Sequence, residues 1–222
     1  MHRFYHSNPL DLNQIIILDE FSSHHALRVM RVKVDDFLVL FNGDGFEYRG
    51  RVSDINKKTI NVEILSKEKN NNESPININL FQSISSNEKM DMVIQKATEL
   101  GVNSIQPIFS SRSTIKLSLD RTKKRLMHWR QVSISACEQS GRSKIPTIKS
   151  PIGFDQVSKE IKTTNSLNLV LHPDSQQPSS NLPHEYSGDI NIFIGPEGGF
   201  NQEEVSFRSE EHTSELQSQF HL

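Results

Sequence analysis

Two short stretches of this 222-residue chain have the composition of ligand-holding loops. The first is Gly195-Pro196-Glu197-Gly198-Gly199, entered from the apolar run INIFI at 190–194. Its glycines let the backbone approach a ligand closely and present N–H groups to it. Pro196 fixes one turn, and Glu197 adds a carboxylate able to bond a ribose or an amine. No GK[ST] follows and no GxGxxG is present, so a phosphate cradle is disfavoured. The plainer alternative is a tight turn joining a strand to a helix. A second apolar run, LNLVLHP at 167–173, ends in the same manner, with Leu171 and His172 before a proline. Ligands of open α/β sheets bind outside the carboxyl ends of the strands, where both loops would lie.

The second stretch is SACEQSGRSKIP at 135–146. Glu138, Gln139 and Arg142 leave the end of a long helix together, with Gly141 as its terminator. A guanidinium beside an amide or a carboxylate makes an anion site; the plainer alternative is an arginine meeting a helix dipole. Cys137 is read as packed helix rather than a nucleophile, since no general base can be assigned to it by spacing. His24 and His25 fall on different helix faces and nothing resembles HExxH, so no metal site is expected.

The elements that must position these loops fall into two regions. Residues 1–70 are rich in short β-branched or aromatic runs: 15–18, 37–41, 48–55 and 59–65, with turns at NGDG (42–45) and NKK (56–58). One helix, SSHHALRVMRV, fits among them with Ser22 or Ser23 as N-cap. A small barrel is the expectation. The polar tract 67–75 reads as an interdomain linker, with the domain boundary drawn at 71–75. Beyond it come a strand (76–84), a helix (87–102) ended by Gly101, a strand (104–109) and a helix (119–139) with Leu126, Trp129, Val132 and Ala136 on one face. Strands alternating with helices imply a mostly parallel sheet.

Net charge is −2, but its distribution is uneven. Residues 112–149 hold ten Lys/Arg against two acidic residues, whereas 150–222 hold eleven acidic against three basic. A basic band in a near-neutral chain points to an anionic partner, nucleic acid above all, unless it is a plain solvated helix face. The mean hydropathy of −0.53 and the absence of any apolar run of about 18 residues exclude a membrane span. There is no signal-peptide pattern, and one cysteine excludes a disulfide framework and CxxC zinc sites. A cytoplasmic location is expected.

Taken together, HALRVMRV, NGDGFEY, QKATELGVNSIQPIFSSRS, HWRQVSISACEQSGRSKIP, LVLHP and IGPEGGFNQEE resemble one family in order and spacing. The chain resembles the RsmE-type 16S rRNA (uracil-N3)-methyltransferases of the SPOUT superfamily over residues 2–207. The resemblance implies a PUA-like RNA-binding β-barrel (1–70), a linker (71–75) and a SPOUT-type trefoil-knot α/β domain (76–207). It implies S-adenosyl-L-methionine as cofactor, 16S ribosomal RNA or the small ribosomal subunit as partner, a homodimer, and no metal. By position, Leu171, His172, Ile194, Gly195, Pro196, Glu197, Gly198 and Gly199 would contact the cofactor, and Arg142, with Glu138 nearby, would face the RNA or the reacting base. Arg28, Arg31, Arg112, Lys123 and Lys124 are the basic side chains expected to meet RNA. A non-catalytic RNA-binding protein, or a SPOUT enzyme acting on another RNA, are the alternatives.

The family pattern continues past GPEGGF through a helix, a strand, an LGxRILRxETA loop and a C-terminal helix that threads the knot. Here residues 208–218 read RSEEHTSELQS instead, the translation of a common sequencing adapter. The expectation is therefore a truncated chain with a non-native tail (208–222), an incomplete knot and impaired cofactor binding and activity. Asn201 is expected to cap a short helix before that tail, with Glu203 and Glu204 in its first turn.

Overall fold

A computed structural model of the chain describes residues 1–113, 115, 118–161, 166–171, 186, 188–201 and 204. The chain divides into two compact units: Met1–Glu73 with Ile134–Ile145, and Ser74–Ser133 with Pro146–Leu222.

Unit one contains β1 (His2–Tyr5), β2 (Ile15–Ile17), α1 (Glu20–His25), a π-helical turn (Ala26–Met30), β3 (Phe37–Phe41), β4 (Phe46–Ile55) and β5 (Ile60–Lys69). These strands form one sheet in the order β1-β3-β4-β5-β2, antiparallel except for β1 beside β3. Period-two alternation puts Leu38, Leu40, Tyr48, Val52, Ile60, Val62 and Ile64 in the core. Gly50 sits at a register shift between β4 and β5, where a Cβ would meet Val62 Cγ1 at 2.4 Å. The NGDG turn between β3 and β4 has Gly43 at φ +96 and Gly45 at φ +86, and Asp44 accepts the Phe46 N–H at 2.9 Å.

Two expectations change here. Asp19, not Ser22 or Ser23, caps α1: its Oδ1 accepts the Ser22 N–H at 2.8 Å, and the Ser23 hydroxyl turns instead to the Leu18 carbonyl. The tract expected to begin a linker at Lys67 is still strand as far as Lys69. It pairs there with Phe46, Glu47 and Tyr48, and Lys67 Nζ lies 4.2 Å from the centre of the Phe46 ring. Cross-strand pairing overrides the polar composition.

Unit two contains β6 (Ile78–Ser83), α2 (Asn87–Glu99), β7 (Ser104–Phe109), residues 119–133 of α3 (Leu119–Ser140), β8 (Thr147–Ile148), β9 (Ile152–Gly153), α4 (Phe154–Ile161), β10 (Ser166–Leu171) and β11 (Asp189–Ile194). Its sheet runs β10-β11-β6-β7-β8, with β9 also beside β7, and every pairing is parallel. All carboxyl ends therefore meet at one edge. The sheet is covered on both faces, as a parallel sheet must be. Leu80, Met90, Ile94, Val102, Ile105 and Trp129 form one core, and Phe81, Ile108, Val157, Val170, Phe193 and Phe200 the other. Gly101, at φ +97, ends α2 with Val102 N–H returning to the Ala97 carbonyl at 3.0 Å.

Candidate cofactor and RNA sites

At the carboxyl edge of the unit-two sheet, register aligns Leu171 of β10, Ile194 of β11, Gln82 of β6 and Pro107 of β7 in one row. Leu171 and Ile194 are the last residues of their strands, so both expected loops depart from neighbouring strand ends. His172 lies outside the described residues. The 195–199 loop closes as a turn in which the Gly199 N–H donates to the Pro196 carbonyl at 2.8 Å. A Cβ on Gly195 would stand 3.1 Å from the Phe200 nitrogen and 3.2 Å from the Gly199 carbonyl carbon, so glycine is what allows so close a return.

The loop is fastened to its surroundings at several points. Arg112, exposed after β7, donates to the Gly198 carbonyl. Lys89 on α2 pairs with Glu197 at 2.7 Å and holds that carboxyl below the usual range, though both groups are mostly exposed. Asn201 and Glu204 exchange reciprocal bonds: Asn201 Oδ1 accepts the Glu204 N–H at 2.7 Å, and Glu204 Oε2 accepts the Asn201 N–H at 2.9 Å. This is the cap expected of Asn201, completed as a capping box by Glu204; Glu203 and the 208–222 tail lie outside the described residues. Glu204 Oε1 also accepts the Ser111 N–H at 2.7 Å.

Three buried polar atoms at this edge have no hydrogen-bond partner among the described residues: Gln82 Oε1, Ser83 Oγ and Ser110 Oγ. Sequence reading did not single them out. The available signal was the polar pair Gln82-Ser83 directly after the apolar Leu80-Phe81 near the end of ININLFQSI.

Arg142 and Glu138 belong to unit one, on the segment 134–145. Gly141, at φ +78, ends α3 with its N–H on the Cys137 carbonyl at 3.2 Å. The turn beyond it is held by Asn70, which donates to the Gly141 carbonyl at 2.8 Å, and by Arg3, which donates to the Arg142 carbonyl at 3.1 Å. The Arg142 guanidinium is buried against Glu73. Glu138 accepts the Tyr5 N–H at 3.0 Å; burial raises its pKa above the usual carboxylate value, partly opposed by that bond. Burial pushes the Cys137 thiol up to about 12, which leaves it protonated and unreactive at neutral pH.

The cations expected at RNA are all exposed. Arg28 lies in the π-helical turn, Arg31 follows it in a left-handed conformation at φ 55, and Lys123 and Lys124 lie on α3. Among the described residues no cluster of His, Cys, Asp and Glu could hold a metal ion.

Comparison with known proteins gives a consistent picture. A family model described as RNA methyltransferase domain matches residues 72–217, and one described as RNA methyltransferase PUA domain matches 18–65. Ribosomal RNA small subunit methyltransferase E of Buchnera aphidicola subsp. Schizaphis graminum is 37% identical over 91% of this chain and 82% of its own length. A methyltransferase from Legionella pneumophila, solved with bound S-adenosylmethionine, superposes with a TM-score of 0.87 at 34% identity, covering 97% of this chain and 90% of the other. Ribosomal RNA small subunit methyltransferase E from Neisseria gonorrhoeae, bound to S-adenosylmethionine, gives 0.86 at 35% identity, covering 95% and 85%.

Proposed function

This chain belongs to the RNA methyltransferase family that includes ribosomal RNA small subunit methyltransferase E, and we propose that it methylates N3 of a uridine in 16S ribosomal RNA. It is an S-adenosylmethionine-dependent ribosomal RNA methyltransferase, with a PUA-like domain before a SPOUT α/β domain.

The observation that carries this reading is the carboxyl edge of the unit-two sheet. A nucleoside bearing a sulfonium and an amino acid needs apolar surface for its base and backbone groups for its polar edges. Leu171 and Ile194 offer the first. The glycine loop 195–199 offers the second, with Arg112 holding the Gly198 carbonyl and Lys89 neutralising Glu197. Unpaired buried polar atoms beside the loop fit a polar ligand. S-adenosylmethionine supplies an electrophilic methyl group when bound; the chain supplies position, orientation and charge.

Uracil N3 carries a proton at neutral pH and attacks as the anion. Arg142, with Glu138 nearby, stabilises the negative charge in this reading. Delivering the Arg142 guanidinium to a uracil anion requires Glu73 to give it up, an exchange of one anion for another. Arg28, Arg31, Arg112, Lys123 and Lys124 bind phosphates and fix the RNA's register. A homodimer and a cytoplasmic location complete the reading, both supported by the resemblance to the family. Among the described residues no helix is long and apolar enough to cross a membrane.

Incubating the chain with small-subunit ribosomal RNA and methyl-labelled S-adenosylmethionine tests this. Label in that RNA and not in transfer RNA is the expected result; label in transfer RNA alone would redirect the substrate, and none in either, from this chain and from one carrying the family's C-terminal segment in place of 208–222, would count against the reading.

A further inference from the structure

The parallel sheet of unit two carries two kinds of polar side chain. Midway along the strands, buried Asn191 and half-buried Asn168 and Asn79 share a register row and are bonded across it. Asn79 Nδ2 donates to Asn191 Oδ1 at 3.1 Å, and Asn191 Nδ2 donates to Asn168 Oδ1 and Ser166 Oγ, both at 2.8 Å. Gln106 on β7 is likewise tied down, its Nε2 reaching the Ser150 carbonyl at 2.8 Å. These amides hold the sheet together.

Gln82 differs. It is the next-to-last residue of β6 and 4% exposed, opposite Ile194 in register. Its Nε2 donates to the Ser83 carbonyl at 3.0 Å, which fixes which end of the amide is which. Oε1 is then left shielded from solvent with no donor among the described residues. A buried, unmatched acceptor destabilises a fold, and an apolar side chain of the same length would avoid that cost. Its position, in the row of Leu171 and Ile194 and beside the strand that feeds the glycine loop, ties the unmatched atom to the ligand edge.

We propose that Gln82 is a cofactor-contacting residue, its Oε1 accepting a hydrogen bond from an N–H donor of S-adenosylmethionine held at the 195–199 loop. This rests on the reading of that loop as the cofactor site. The cofactor has two N–H donors, the adenine amino group and the α-ammonium. No other group in it donates from nitrogen.

The test is calorimetric titration of the wild type and Gln82→Met with S-adenosylmethionine and with 5′-methylthioadenosine, which keeps the adenine but lacks the amino acid. Thermal unfolding of both proteins without ligand accompanies it. Gln82→Met is expected to bind S-adenosylmethionine about 5- to 100-fold more weakly. A parallel loss for 5′-methylthioadenosine assigns the adenine amino group as donor; no loss for it assigns the α-ammonium. Unfolding of the free variant is expected within about 3 °C of the wild type or above it, since no acceptor is stranded and volume is kept. S-adenosylmethionine affinity within twofold of wild type would overturn the proposal, and so would a fall in unfolding temperature beyond about 5 °C, which marks a structural amide. A wild type that binds no S-adenosylmethionine removes the cofactor-site reading and this proposal with it; equal binding by both proteins removes Gln82 alone.

Discussion

Arg142 and Glu73 form a buried ion pair in unit one. Arg142 Nη2 donates to Glu73 Oε2 at 2.7 Å and Nε lies 3.2 and 3.3 Å from the two carboxylate oxygens, with the side chains 4% and 15% exposed. The Lys144 N–H donates to the same carboxylate at 3.2 Å. Removing the carboxylate leaves a guanidinium buried without its counter-charge. Glu73→Ala is expected to lower stability by about 3–5 kcal/mol in urea unfolding. A loss under about 1 kcal/mol would mean that the pair behaves like an exposed one.

Glu138 gives the fold a pH dependence of defined sign. Burial raises its folded pKa above the ordinary carboxylate value of 4.5, with Asp19 adding to the rise and the Tyr5 N–H and Arg3 opposing it. The folded chain then holds this proton more tightly than the unfolded chain does. The contribution is fully present below the unfolded pKa and is lost as pH rises through the folded one. Glu138→Gln keeps an acceptor for Tyr5 without the charge. It is expected to unfold at a higher temperature than wild type at pH 7, the gap closing as pH falls through the carboxylate range. A variant less stable at pH 7, by a margin that persists to pH 4, would contradict this.

Two glycines of the loop should respond differently to a methyl group. A Cβ on Gly195 would lie 3.1 Å from the Phe200 backbone nitrogen, whereas one on Gly198 meets only Arg112 Cδ, at 3.6 Å. Gly195→Ala must shift the loop and is expected to weaken S-adenosylmethionine binding about 5- to 100-fold. Gly198→Ala should leave it within about threefold, since that contact is ordinary. Equal effects in calorimetry would show that the close backbone return does not shape the site.

Lys123 and Lys124 are exposed neighbours on α3, and phosphate contacts of this kind are salt-dependent. Replacing both with Ala should weaken RNA binding and reduce the slope of log affinity against log salt by about 1.4 to 1.8. An unchanged slope would place the RNA elsewhere.

Much of the fold was legible because single residues declare it. FLVLF is a short apolar run that ends at a turn signal, and it forms β3 over the residues expected; SIQPIF likewise forms β7 over the residues expected. Gly101 and Gly141 mark the ends of α2 and α3 because both take positive φ. The loop at 195–199 was legible from glycine and proline following an apolar run, which set it at a strand end. The two-residue strands β8 and β9 were not, since Thr147–Ile148 and Ile152–Gly153 are too short to show a period. Nor was the pairing of Arg142 with Glu73, 69 residues away in the chain, because no local pattern links charges at that separation. The passage of 134–145 into unit one was hidden for a similar reason: an unbroken helical period runs through α3 across Ser133.

Primer extension on 16S ribosomal RNA after reaction with the chain and S-adenosylmethionine tests the central claim most directly. A methyl on uridine N3 occupies the pairing edge and stops reverse transcriptase one nucleotide short, while a methyl on C5 or on the ribose 2′ oxygen leaves that edge free. The expected result is one new strong stop beside a single uridine, absent without S-adenosylmethionine, with N3-methyluridine recovered from the digested RNA. Methylated RNA that yields no new stop, or whose methyl is recovered on another atom, would contradict it.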